Sequence, residues 1–234
     1  MTMPYYVAPE QVMKDRAEYA QKGIARGRSL VAAVYAEGIV IVADNPSRSL
    51  HKISEIYDRI AFAGVGKYNE FDQLRVSGIR HADTKGYAYS REDVEARSLA
   101  NLYAQYLGQV FTHEMKPLEV EILVAELGDE LHPRQLYHIA YEGTITDEAR
   151  FAVLGGETEA IAERLEALWQ EGMDLAGALG AAVHPEHQRV FPARREPRRF
   201  QDPHLYRRPL GSLRCHRFRF GALPLADERI VEVR

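Results

Sequence analysis

Residues 29 to 65 carry short runs of apolar and β-branched residues separated by turn chemistry. Ser29–Ala36 and Ile39–Ala43 flank Glu37-Gly38, a pattern that predicts a hairpin. The second run ends on Asp44. After a short polar loop containing Lys52, Ile53–Tyr57 and Arg59–Val65 predict two further strands joined at Asp58, closed by Gly64-Val65-Gly66. The period then lengthens. Asn69 to about His81 reads as a helix with Phe71, Leu74, Arg75 and Gly78 near one turn apart. Ser90-Arg91-Glu92-Asp93 has the form of a capping box and predicts a second helix reaching about Glu114. Its core face is Val94, Leu99, Leu102, Tyr103, Tyr106, Leu107, Val110 and Phe111, and Pro117 stops it.

The second half repeats the grouping. Val120–Leu127 alternates, Gln135–Tyr141 is its expected hairpin partner, and Gly143-Thr144 turns into a short strand at Ile145. Phe151–Leu154 is a last apolar run before Gly155-Gly156. Thr158 to Gln170 reads as a helix with Ile161, Leu165, Leu168 and Trp169 inward, and Met173-Asp174 caps another over Leu175 to Val183. Ahead of all of these, Pro9 to Ile24 reads as a helix, with proline and Glu10 in its first turn. Its apolar stripe, Val12, Met13, Ala17, Tyr19, Ala20 and Ile24, is incomplete. It is either a solvated extension or a helix that packs on neighbouring subunits. Antiparallel strand groups alternating with helix pairs predict an α+β fold: two antiparallel sheets face to face, with helices outside.

Composition adds limits. Of 234 residues, 46% are hydrophobic and 27% charged, as in an ordinary globular protein. No apolar run approaches the ~18 residues of a membrane span. The first residues lack the basic and apolar regions of a secretion signal. The single cysteine, Cys215, excludes an internal disulfide. A cytoplasmic location is expected. The net charge of −4 is unevenly spread: residues 184–234 hold 12 Arg, no Lys and 6 Asp plus Glu, a net of +6, so the other 183 residues carry −10. The same stretch holds 6 of the 11 prolines and 4 of the 9 histidines.

Most candidate chemistry falls away on spacing. Ala61 to Lys67 fails as a phosphate loop, because Ala61 stands where the first glycine belongs and Tyr68 where Ser or Thr belongs. His81, His113, His132 and His138 have no metal-ligand spacing, and no Gly-x-Ser-x-Gly elbow occurs. Neither a metal nor a cofactor is expected. The arginines of the tail suggest nucleic acid, but its acidic residues and prolines break up a basic face. Asp44 at a strand end with Lys52 nearby would suit the tuning of a nucleophile at the head of the first strand. Arg28-Ser29 occupies that head, far inside the chain. An active hydrolase would require cleavage just before Ser29. The plain alternative is a strand-capping aspartate and a surface lysine.

Several segments together resemble proteasome α-type subunits of actinobacteria. They are Pro4 to Gln11, Gln21 to Gly27, Glu37 to Glu55, Gly64 to Asp72 and Ala82 to Tyr89. The similarity extends to about Val183. It implies the αββα sandwich of the N-terminal-nucleophile hydrolases, with no catalytic residue in the α-type chain itself. The threonine-type endopeptidase activity lies in β-type partners, within a stack of seven-membered α, β, β and α rings. It implies a pore gate in the first residues, Met3, Pro4, Tyr5, Tyr6 and Pro9 among them, followed by a helix packed on ring neighbours. It also implies that Lys52 and Gly66 form the pocket for the C-terminal carboxylate of a ring-shaped ATPase activator ending hydrophobic–Tyr–any. A lysine, a compact point cation, suits a carboxylate, and a glycine suits close backbone approach.

The tail departs from this pattern. In the family the last helix continues and two strands follow, the first an alternating apolar run. Here His184-Pro185-Glu186-His187 and Arg194-Arg195-Glu196-Pro197-Arg198-Arg199 follow instead. The expected division is a proteasome-type domain over 1–183, with its gate segment at 1–8 and first helix at 9–24, and a poorly ordered Arg/Pro-rich tail over 184–234. The composition suits a shifted reading frame in a GC-rich gene. The rival is a genuine divergent tail with Arg229–Val233 as a makeshift strand. With the C-terminal strands missing or disordered, the sheet holding the first hairpin would expose an edge.

Overall fold

The computed structural model describes residues 8–45, 47, 49–128, 133–183 and 228–233. Helix α1 (Pro9–Ala25) precedes four strands, β1 (Leu30–Tyr35), β2 (Gly38–Asp44), β3 (Ile53–Tyr57) and β4 (Ile60–Gly66). Helices α2 (Tyr68–Ala88) and α3 (Ala96–His113) follow, then β5 (Val120–Glu126), β6 (Gln135–Ile139), β7 (Ile145–Asp147) and β8 (Phe151–Leu154). Helices α4 (Thr158–Leu168) and α5 (Leu175–Ala182) and strand β9 (Glu228–Val233) complete the order. One sheet runs β8-β1-β2-β9 and the other β3-β4-β5-β6-β7, all pairs antiparallel. The expected sandwich is present: helices α4 and α5 cover the first sheet, α2 and α3 the second.

Strand alternation builds three apolar layers. Leu30 and Ala32 of β1, Ile39 and Ile41 of β2, Ala61, Ala63 and Val65 of β4, and Leu123 and Ala125 of β5 meet between the sheets. The opposite set on the first sheet, Val31, Ala33, Tyr35, Val40 and Val42, packs on Ile161, Leu165, Ala178 and Ala181 of the outer helices. On the second sheet, Ile60, Phe62, Ile122 and Val124 pack on Phe71, Leu74, Leu99, Tyr103 and Leu107. Small alanines on β4 and β5 face larger side chains on β1 and β2, so the two sheets interdigitate.

The structure departs from the sequence expectations in three places. Helix α2 continues past His81 to Ala88, because its glycines are packing positions rather than stops. A Cβ on Gly78 would stand 1.7 Å from the Tyr103 hydroxyl, and one on Gly86 2.0 Å from that of Tyr57. The Ser90 motif does not open α3. Its hydroxyl accepts the Glu92 N–H in a separate 3₁₀ turn, Arg91–Asp93. The buried Glu126 carboxylate, at the end of β5, instead accepts the first-turn Ala96 N–H at 2.8 Å and pairs with Arg59 at 3.2 Å. Tyr106 and Leu168, expected inward, are exposed, while Trp169 is half-buried and donates from Nε1 to the Val34 carbonyl at 2.9 Å. The sheet with the first hairpin does not end at β2. The β9 backbone pairs with it from Ile39↔Val233 to Asp44↔Glu228, over the stretch that the alternative reading of the tail had as a makeshift strand, Arg229–Val233. Residues 184–227 lie outside the described residues.

Glu126→Ala removes the acceptor at the start of α3 and the partner of Arg59. It is expected to cost about 2 kcal/mol, read as a shift of the urea unfolding midpoint. Glu126→Gln, which keeps an oxygen acceptor, should cost less; equal losses would mean that the cap contributes little.

Candidate functional site

The antiparallel register gathers one set of strand ends. The head of β1, the end of β2, the head of β3, the end of β4 and the head of β5 stand together, with Leu30 opposite Ala43, Ile53 opposite Ala63 and Gly66 opposite Val120. Helix α1 lies over this end. Its Ala20 and Ile24 enter the core between the sheets, Gln21 donates to the Tyr141 hydroxyl at 3.1 Å, and the Arg16 guanidinium donates to the carbonyls of Phe111 and Glu114. Val12, Met13 and Tyr19 keep exposures of 38%, 38% and 49%, and the Tyr19 ring has the Lys116 ammonium 5.7 Å from its centroid.

Ser29 stands in continuous chain between α1 and β1, and its carbonyl accepts the Asp44 N–H at 3.2 Å. The head of the first strand therefore presents a backbone amide and no free amine. Asp44 faces Arg28, whose Nη1 lies 3.0 Å from both carboxylate oxygens. Lys52, on the loop before β3, reaches across from the second sheet and donates from Nζ to the Arg28 carbonyl at 2.8 Å. Burial pushes its ammonium down to about 8; the Asp44 carboxylate works against that shift and the Arg28 guanidinium adds to it. Lys52 thus stands beside one carboxylate and one guanidinium, and in its ammonium form it can accept an anion.

Gly66 closes the other side. Its φ is +100°, and a Cβ there would stand 2.0 Å from the Glu119 carbonyl oxygen. Gly27 packs against it, with a Cβ position 3.2 Å from the Gly66 nitrogen. The Glu119 peptide is held at both ends: Glu70 accepts its N–H at 2.8 Å, and its carbonyl accepts the Lys67 N–H at 2.9 Å. Lys116 bridges Glu70 and Glu119 at 3.0 and 2.8 Å, and Lys67 lies 3.2 Å from Glu70. Burial works to raise the Glu70 carboxyl, but the Glu119 N–H and the two ammonium groups together outweigh it and the net shift is downward.

The structure thus brings Lys52, Gly66, Asp44 and the head of β1 to one place. Pro9 is the exposed first residue of α1; Met3, Pro4, Tyr5 and Tyr6 lie outside the described residues. His81, His113 and His138 sit apart on α2, α3 and β6, and His132 is outside the described residues. Sequence reasoning missed Arg28 as a site residue, and it missed the Glu70–Glu119 link. The pairs Lys67–Glu70 and Lys116–Glu119 are legible as local i,i+3 charges, but the contact joining them spans 49 positions.

A family model described as "Proteasome subunit" matches residues 24–185. "Proteasome subunit alpha" of Acidimicrobium ferrooxidans is 76% identical over 169 residues, 72% of this chain and 73% of that one. The protein of the same description from Sanguibacter keddieii is 60% identical over 179 residues, covering 76% and 70%. That from Streptosporangium roseum is 58% identical over 184 residues, covering 78% and 71%. The family match ends two residues beyond Val183, where the composition changes.

Gly66→Ala would force a side chain into both a positive φ and the Glu119 carbonyl. An expected loss of about 2–3 kcal/mol would appear as a lowered thermal midpoint. An unchanged midpoint would mean that the Glu119 strand yields freely.

Proposed function

The chain belongs to the proteasome subunit family, and from that premise we propose that it is a non-catalytic α-type ring subunit of a 20S core particle. In this reading it gates substrate entry and docks activators during protein degradation in the cytoplasm. Among the described residues no helix is long and apolar enough to cross a membrane. The observation that carries the reading is the continuity of α1 into Ser29. A nucleophile of this hydrolase class uses its own α-amino group as base, and Ser29 has none. Peptide cleavage therefore belongs to β-type partners.

The α-type chain works by position. Seven copies form a ring on each end of two β rings. The exposed stripe of α1, with Val12, Met13 and Tyr19, packs on ring neighbours. Residues 1–8, including Met3, Pro4, Tyr5 and Tyr6, gate the axial pore, with Pro9 as the turn into the helix. Lys52 and Gly66 receive the C-terminal carboxylate of a ring-shaped ATPase ending hydrophobic–Tyr–any. The half-buried ammonium is the electrostatic anchor, and the absent Cβ of Gly66 admits the peptide backbone. Residues 1–183 are the domain that does this.

Three measurements test the proposal. Co-expressed α and β chains should give seven-fold rings by negative-stain imaging, with the α chain at its full mass. A chain shortened to begin at Ser29 would instead favour an active hydrolase. Lys52→Ala particles should lose about tenfold or more in activator affinity; undiminished binding removes Lys52 from the pocket. Affinity should also fall as pH rises through about 8, where the free Lys52 loses its charge. A flat profile from pH 7 to 9.5 would contradict the ammonium–carboxylate contact.

A further inference from the structure

Among the described side chains, the charges around Lys52 do not balance. Lys52 and Arg28 are both cations anchored on one residue, because the ammonium bonds the carbonyl of Arg28 itself at 2.8 Å. Their mutual repulsion is part of what lowers Lys52. One carboxylate, Asp44, stands against the two. Its side chain is 28% exposed whereas that of Arg28 is 54% exposed, so the acid lies beneath the guanidinium and the guanidinium faces outward. Among the described residues, Asp44 engages the guanidinium through Nη1, one of its three nitrogens. Among the described side chains, two cations and one carboxylate leave a single positive charge, which one further carboxylate would neutralise. A guanidinium fork is also the side chain best shaped to take a carboxylate oxygen beside a second donor.

We propose that Arg28 is the second cation of the docking site, binding the incoming C-terminal carboxylate together with Lys52, while Asp44 orients the guanidinium from behind. The proposal rests on the docking reading above and deepens it. The carboxylate lies between the two cations and relieves their repulsion. Asp44 is a positioning residue with two opposed effects. It aims Arg28, and its charge keeps Lys52 protonated to higher pH. Among the described side chains, the charged groups acting on Lys52 are Asp44 at the end of β2 and Arg28 before β1; His51, its chain neighbour, is exposed, and Glu228 of β9 is the backbone partner of Asp44.

The test uses assembled α/β particles and a fluorescent hexapeptide ending Ala-Tyr-Leu, as the free carboxylate and as the C-terminal amide, followed by anisotropy. Arg28→Met should weaken the carboxylate peptide by about tenfold and leave the weaker amide peptide unchanged. Arg28→Lys, which keeps charge without the fork, should recover part of the loss. Asp44→Asn should shift the upper pH limit of carboxylate binding to lower pH, because the charge that holds Lys52 protonated is gone. A purely structural Arg28–Asp44 pair predicts equal losses for both peptides, and that result overturns the inference. If Lys52→Ala loses carboxylate binding while Arg28→Met does not, the inference alone fails. If Lys52→Ala binds the carboxylate peptide as well as the unaltered particle, the docking reading fails with it. Ring assembly of each variant, checked by native mass, keeps a folding defect separate from a binding one.

Discussion

The central strands β1, β2, β4 and β5 are buried on both faces, and the architecture follows from that. Each face must find an apolar partner, since a pleated strand sends alternate side chains in opposite directions. For β1 and β2 the partners are the second sheet on one side and α4 with α5 on the other. For β4 and β5 they are the first sheet and α2 with α3. Removing any one layer would leave a row of Val, Ile and Leu in water at about 25 cal/mol per Å² of exposed apolar surface. Four layers are therefore the smallest arrangement that satisfies all four strands.

Such a sandwich is open at its ends, and the ends are where polar chemistry concentrates. At one end α1 places Ala20 and Ile24 over the inter-sheet core. The chain then turns at Gly27 against Gly66 and enters β1. The Lys52 bond to the Arg28 carbonyl crosses from one sheet to the other at this point. The same end in an N-terminal-nucleophile hydrolase would offer a free amine at the strand head. Here the preceding helix replaces that amine with an amide and leaves Lys52 facing a carbonyl. The frame is retained, and the strand head holds a backbone amide where that chemistry would need a free amine.

The Glu70–Lys116–Glu119 cluster supports this end from the second sheet. Glu70 fixes the Glu119 peptide, and that peptide fixes the path of Gly66. The carboxylate of Glu119 also fills the space beside Gly23 of α1, and the Lys116 ammonium stands 5.7 Å from the Tyr19 ring centroid. One charge network thus touches both the loop at Gly66 and the helix that leads back to the first residues.

Much of this was legible from the chain alone. The β1–β2 hairpin followed from two β-branched runs around Glu37-Gly38, and α5 from Asp174, whose carboxylate does accept the Gly177 N–H. The grouping of strands and helices was enough to indicate two antiparallel sheets, and five segments taken together, Glu37 to Glu55 among them, were enough to indicate the family. The elements depend on local propensity and on the period of apolar residues, and the resemblance on residue identities over several segments, all of which a sequence carries directly. The tertiary structure decided the rest, because it joins residues that no local period relates. It carried α2 through Gly78 and Gly86 by filling their missing side chains with tyrosine hydroxyls. It capped α3 with Glu126 from another element rather than with the nearby Ser90. It paired β9 with β2, where the sequence left a strand at Arg229–Val233 as one of two alternatives. It also set Arg28, an unremarked residue before a strand, against both Lys52 and Asp44. Charge and hydrogen bonding act through distances of a few ångströms, and only the folded chain sets those distances.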